Sequence, residues 1–197
     1  MKGKNKGIIY ILIMLVSVGV LLAAFWKVAN RNNKDSTDKV ETTPITEITT
    51  RDLDKKYPKT PREVVKLYSQ IILCFYNENY TEEELNDLGK KARQLFDKEL
   101  LENNPEEKYY KDLKKEIEEY KKKKRTIISY DIQDSREVEY ITKDNQEMAK
   151  VTAQYFMKSK KDYQRATEDY VLRKDSNKLW KIYGYTISKD SGSSKEE

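Results

Sequence analysis

The chain contains no histidine at all. That removes the commonest general base and the commonest metal ligand together. There is one cysteine, Cys74, so no intrachain disulfide forms and the fold does not depend on oxidation. Cys74 also lies too far from the N-terminus to take a lipid after a signal segment. Only six glycines occur in 197 residues, and none builds a phosphate-cradling loop. No Cys/His cluster or calcium-spaced acidic loop is present, so no metal or other cofactor is expected. Acidic residues are missing from residues 1–34, and this absence sets the charge balance. Six of the 39 basic residues and none of the 34 acidic ones lie there, so 35–197 carries 33 bases against 34 acids, a net of −1. The formal +5 therefore belongs to the N-terminus. The remainder lacks the basic field of a nucleic-acid-binding domain.

What is present begins with one uncharged run of nineteen residues, Ile8–Trp26. As a helix it would span roughly 28 Å, close to a bilayer's hydrocarbon thickness. A cleaved signal peptide would have a shorter apolar stretch ending in spaced small residues, whereas Ala23 and Ala24 are adjacent. The run predicts an uncleaved transmembrane anchor over 8–28. Lys2, Lys4 and Lys6 place the head, 1–7, in the cytoplasm and the rest outside, although Lys27, Arg31 and Lys34 dilute that asymmetry. Membrane lipid is thus one expected partner, and the expected location is the plasma membrane, single-pass, with an extracellular C-terminal domain. Residues 29–56 are polar, without sustained period, and predict a flexible linker.

From 57 the chain changes character, and an extracytoplasmic α+β domain is predicted over 57–188. Thr60-Pro-Arg-Glu63 is a capping box with proline at the first helical position. Val64, Val65, Leu67, Tyr68, Ile71, Ile72, Phe75 and Tyr76 then form a wide apolar face. Thr81-Glu-Glu-Glu84 opens a second helix striped by Leu85, Leu88, Ala92, Leu95 and Phe96. Asn104-Pro105 starts a third, with Tyr109, Leu113, Ile117 and Tyr120 along one side. After Lys124 the period falls to about two. The alternation predicts strands at 126–133, 136–142, 147–158, 164–173 and 179–188, joined by short turns as an antiparallel meander. The predicted fold class is thus a transmembrane helix followed by three helices on a curved antiparallel sheet of four to five strands. Residues 189–197 read as a disordered tail.

Two stretches carry a family resemblance. They are Arg51-Asp-Leu-Asp-Lys-Lys-Tyr-Pro-Lys-Thr-Pro-Arg-Glu-Val-Val65, continuing to Cys74-Phe-Tyr-Asn-Glu-Asn-Tyr-Thr-Glu-Glu-Glu-Leu85, and Leu172-Arg-Lys-Asp-Ser-Asn-Lys-Leu-Trp-Lys-Ile182. Together they resemble an uncharacterised family of membrane-anchored proteins from Gram-positive, clostridia-like bacteria, with no assigned activity. The element order also resembles the nuclear transport factor 2-like superfamily, whose sheet forms a helix-lined cone. Enzymes of that class often pair an Asp with a His or Tyr inside the cone. Here Asp131, Asp134 and Asp169 are the carboxylates for such a pairing, yet their spacing singles none out.

The aromatic residues Tyr68, Phe75, Tyr76, Trp180 and Tyr183 are candidates to line a pocket or to fill it as core. Alternation puts Tyr155 and Phe156 on opposite faces. Lys121–Arg125 is the one basic cluster. It suits anionic headgroups, and equally the solvated end of a helix, where cations favour the dipole. Cys74 sits among Ile71, Ile72 and Phe75 as a buried thiol. Asn79-Tyr-Thr81 matches a glycosylation triplet, but Thr81 reads better as a cap. No catalytic, cofactor or metal site is assigned. The expected function is a non-enzymatic binding or scaffolding module of the cell envelope with an envelope protein as partner. A small-ligand-binding cone is the alternative, followed by a His-free enzyme.

Overall fold

The computed structural model describes residues 42–160, 162–188 and 193–195. Five helices occur among them: α1 (Pro44–Thr49), α2 (Pro61–Asn77), α3 (Glu82–Gln94), α4 (Lys98–Asn103) and α5 (Glu106–Lys122). Six strands follow: β1 (Arg125–Ile132), β2 (Glu139–Lys143), β3 (Gln146–Ser159), β4 (Asp162–Lys174), β5 (Trp180–Ile187) and the short β6 (Ser193–Lys195).

The class is α+β, but the expected architecture needs correction. No helix among the described residues is long and apolar enough to cross a membrane. The transmembrane helix expected at 8–28 is therefore removed from the fold class; it and the 1–7 head lie outside the described residues. Five helices stand where three were expected. The linker expected over 29–56 also gives way from Pro44 onward. Thr43 caps α1, its Oγ1 accepting from Thr46 N–H at 3.1 Å. Ile45, Ile48 and Leu53 are then buried in the domain core. Six residues with two apolar positions are too short to show a helical period, so tertiary burial holds this turn in place. Likewise β6 pairs with β4 inside the stretch expected as a disordered tail.

The long helices start as their caps dictate. Thr60 and Glu63 close one capping box, and Thr81 and Glu84 close the other. Val64, Val65, Leu67 and Ile71 of α2 are almost fully buried, since the helix lies along the inner face of the sheet. At its end, Asn77 bonds both backbone groups of Ile127, Nδ2 donating to the carbonyl at 2.7 Å and Oδ1 accepting from N–H at 2.9 Å. It thereby satisfies β1 where its register with β3 shifts.

The sheet runs β1-β3-β4-β5, with β2 also beside β3 and β6 beside β4, and every pairing is antiparallel. Asp144 and Asn145 take positive φ at the β2–β3 turn, the conformation that a tight two-residue hairpin needs. Ala149, Val151, Ala153, Tyr155 and Met157 of β3 form the inner face, as do Tyr170 and Leu172 of β4. One irregularity matters on β5. Val171 pairs with Gly184 and Leu172 with Ile182, so Tyr183 is an extra residue. This bulge resets the alternation. Ile182 faces inward before it, and Tyr185, opposite Tyr170, faces inward after it.

Loop residues 95–97 add to the free edge of β5. Ile182 N–H donates to Leu95 at 2.8 Å, and Asp97 N–H donates to Ile182 at 2.8 Å. Helix α3 therefore ends at Gln94, and Leu95, its C-cap, and Phe96, bridged to β5 at Ile182, are buried from beyond the helix.

Candidate functional site

Between α2, α5 and the inner faces of β3, β4 and β5 lies a cavity of about 310 Å³. Tyr68, Phe75 and Tyr76 of α2 form one wall; Tyr109, Glu116 and Tyr120 of α5 form another. Tyr155, Ala166, Glu168, Tyr185 and Ile187 form the sheet side. Tyr185 and Ile187 are 50% and 68% exposed, so the cavity opens where the helices no longer cover the end of β5.

The walls are set by ring packing. Tyr76 stacks on Tyr120 at 4.1 Å between centroids, and Tyr68 meets Tyr170 edge-on at 5.8 Å. Aromatic pairs in such geometries stabilise beyond their buried area.

Glu168 is the unusual residue. Its position on β4 alternates in step with Ala166, Tyr170 and Leu172, so a carboxylate stands on the apolar face of the sheet. Tyr170 Oη donates to its Oε2 at 2.5 Å, Tyr155 Oη lies 2.9 Å from Tyr170 Oη, and Ser69 Oγ lies 2.8 Å from Tyr155 Oη. Each hydroxyl has one proton. With Glu168 ionised the direction is fixed: Ser69 donates to Tyr155, Tyr155 to Tyr170, and Tyr170 to the carboxylate. Such chains polarise cooperatively in a low dielectric.

Burial pushes the Glu168 carboxyl above its ordinary value of 4.5, against the Tyr170 hydrogen bond, and the Glu116 charge adds to the rise. Burial, then Glu116, likewise holds the Tyr76 phenol far above its usual range. Desolvation does the same for Tyr155 and Tyr109. The phenols therefore stay protonated at neutral pH and act as hydrogen-bonding, π-faced walls.

Of the five aromatic candidates, Tyr68, Phe75 and Tyr76 meet at this cavity. Trp180 and Tyr183 do not. Trp180 is buried, edge-on to Tyr140 with Lys174 Nζ above its ring, and its carbonyl accepts from Tyr57 Oη at 2.9 Å. Tyr183, displaced by the bulge, lies under the Arg173 guanidinium at 4.5 Å. Asp131 and Asp134 are exposed, and Asp169 accepts from Thr152 Oγ1 at 2.6 Å; none lines the cavity. The residues missed were Glu168, Glu116, Tyr109, Tyr120 and Tyr185. For Glu168 the signal was available in the strand's parity. Phe156 turns outward as the alternation required, whereas Tyr155 is buried.

Among the basic cluster, Lys121 Nζ sits over the Tyr80 ring at 5.1 Å and Arg125 over Tyr120 at 5.1 Å. Lys122, Lys123 and Lys124 are exposed, as suits the solvated end of a helix. No group of three or more metal-binding side chains occurs among the described residues.

Fold and cavity together define an α+β domain whose helices and sheet enclose one tyrosine-walled cleft. The chain belongs to the family described as Domain of unknown function (DUF6715), which matches residues 1–185. No curated protein matches it.

Proposed function

We propose that this domain is a small-ligand-binding module of the cell envelope, without catalytic activity of its own. The observation that supports this reading is the open cavity of about 310 Å³ with a carboxylate at an inward sheet position. Its volume sits at the lower end of ligand pockets, roughly 300–1,000 Å³. A domain that needed these aromatics only as core would close on them, as it does around Val64, Val65 and Ile71. Phenols held protonated are poor nucleophiles, which favours binding over covalent catalysis.

The envelope location rests on the sequence of the N-terminal 34 residues. Protease added to intact cells is expected to digest 50–190; protection of that region overturns the location. For binding, a fragment library is titrated against the full-length chain and against Ala166→Leu, which fills the cavity from the strand floor. Binding to the wild type that is lost in the variant supports the cavity. Equal binding to both, or none to either, overturns it.

A further inference from the structure

We infer that the cavity takes an organic cation, an ammonium group on a small apolar body, seated between Glu168 and the exposed ring of Tyr185. This deepens the ligand-binding reading and rests on it.

The first ground is charge. The lining includes three carboxylates, Asp112, Glu116 and Glu168, and no Lys or Arg. Elsewhere the described surface mixes both signs freely, with ion pairs such as Lys90–Asp87 and Lys174–Glu147. Among the described residues Glu168 has no such cation. Its hydrogen-bond partner is the Tyr170 hydroxyl, a neutral donor. A partly buried carboxylate whose charged neighbour, Glu116, is itself anionic attracts a positive ligand and repels an anionic one.

The second ground is the wall chemistry. Tyrosine faces carry negative quadrupole and hold ammonium groups within about 6 Å of the ring centre. Two cavity rings already do this with the protein's own cations: Arg93 sits 5.3 Å from the Tyr109 centroid and Arg125 5.1 Å from that of Tyr120. Tyr185 has no such cation among the described residues and is half-exposed at the mouth. Its ring lies 5.6 Å from that of Tyr170, whose hydroxyl holds Glu168. A π face and a carboxylate thus converge from adjacent strands.

The third ground excludes a bare metal ion. The three lining carboxylates do not come together as a metal-holding group among the described residues, and the phenols and aliphatic groups that complete the lining are poor ligands for calcium or magnesium. The apolar surround instead suits the methyl or methylene groups of an organic ammonium.

The test uses three probes of one shape: choline, its neutral carbon isostere 3,3-dimethylbutan-1-ol, and the anion 3,3-dimethylbutanoate. Each is titrated against the full-length chain in non-ionic detergent by ligand-observed NMR. Choline is expected to bind at least fivefold more tightly than the alcohol, and the anion most weakly. Glu168→Gln keeps the side chain's shape and is expected to abolish the difference between choline and the alcohol. Tyr185→Leu, at a half-exposed position and checked for folding by its thermal melt, is expected to weaken choline severalfold and to bring its affinity close to that of the alcohol. The alcohol or the anion binding as well as choline overturns the cation and leaves the binding cavity standing. Failure of all three probes to bind overturns both.

Discussion

Glu168 and Tyr170, two positions apart on β4, share one face of the sheet, and the tyrosine hydroxyl donates to the carboxylate at 2.5 Å. The pair joins a fully buried ring to a titrating group at the cavity wall. Through this contact the protonation of Glu168 is felt by the buried rings, whose own phenols do not ionise near neutrality.

The first prediction concerns stability against pH. Glu168 has a folded pKa above its ordinary 4.5, chiefly through burial. A raised carboxyl means that the folded state binds its proton more tightly than the unfolded state. Its contribution is therefore greatest below about 4.5 and is lost as pH rises through the folded value. Glu116 on α5 and Tyr155, Tyr170 and Tyr185 on the strands face it. Of these, Glu116 raises the pKa further by its charge. Glu168→Gln is expected to raise the melting temperature at pH 7 and to leave it unchanged near pH 4. Thermal melts across pH 4–8 check this; an equal effect at both ends overturns it.

The hydroxyl chain yields a second prediction. Ser69 and Tyr155 are both buried, so removing one link strands its neighbour. Ser69→Ala costs about 1–2 kcal/mol, and Tyr155→Phe costs more because it leaves Ser69 and Tyr170 each short of a partner. Together they cost less than the sum, since both act on one chain. A double-mutant cycle by urea unfolding measures the coupling, and strict additivity sinks it.

How much of this was legible in the sequence depends on range. Capping boxes at Thr60 and Thr81 and the shift of period after Lys124 are local signals, and the helices and long strands follow them. Helix α1 was hidden because Ile45 and Ile48 are stabilised by distant neighbours, not by a repeat along the chain. Helix α4 was hidden because its cap, Asp97, belongs to an extended segment paired with β5. For the cavity, α2 supplied Tyr68, Phe75 and Tyr76, since a wide apolar face must bury or line something. Trp180 fills the core, one of the two roles expected of it, whereas Tyr183 neither lines the cavity nor fills the core. The bulge at Tyr183 changes which β5 residues face inward, and bulges leave little trace in composition. Glu168 shares the parity of Tyr170, but its depth depends on where α5 stops covering the sheet.

Asp97 is almost fully buried and is held by Arg173, whose Nε donates to Oδ2 at 3.1 Å while Nη2 bonds Oδ1. Arg173 also reaches Glu99 at 2.9 Å. This clamp fixes the 95–97 segment on β5. Arg173→Met leaves the buried carboxylate without its cation, with the Glu99 N–H at 2.9 Å as its remaining partner, and costs about 3 kcal/mol. Arg173→Lys recovers little, because an ammonium cannot match the forked geometry. Asp97→Asn in the Arg173→Met background is expected to restore part of the loss, measured by chemical denaturation. No restoration would show that the charge is not the cause.

At Gly89 on α3 an added Cβ would run into the Tyr110 ring, which is anchored by its hydroxyl donating to Asn86 at 2.8 Å. Gly89→Ala is thus expected to destabilise by about 1–3 kcal/mol. In a Tyr110→Ala background the same change should stabilise by about 1 kcal/mol, the ordinary helix preference of alanine. A change of sign between backgrounds is the signature; the same sign in both rules out the ring as the cause.

The last prediction tests Cys74 as a structural thiol. It is 2% exposed, and burial, aided by the charge of Glu78, pushes its thiol up to about 11. The thiolate is the reactive species, so at pH 8 ionisation alone slows alkylation about 100-fold relative to an ordinary cysteine near 9. Steric cover slows it further. Maleimide is expected to leave the folded chain unmodified over the time in which it labels the urea-unfolded chain completely. Substitution tells the same story from packing. Cys74→Ala removes a small buried apolar group and is expected to cost about 1 kcal/mol, whereas Cys74→Asp buries a charge without a partner and is expected to prevent folding. Rapid labelling of the folded chain would instead place the thiol in an accessible, activated setting, which the packing of α2 against the sheet excludes.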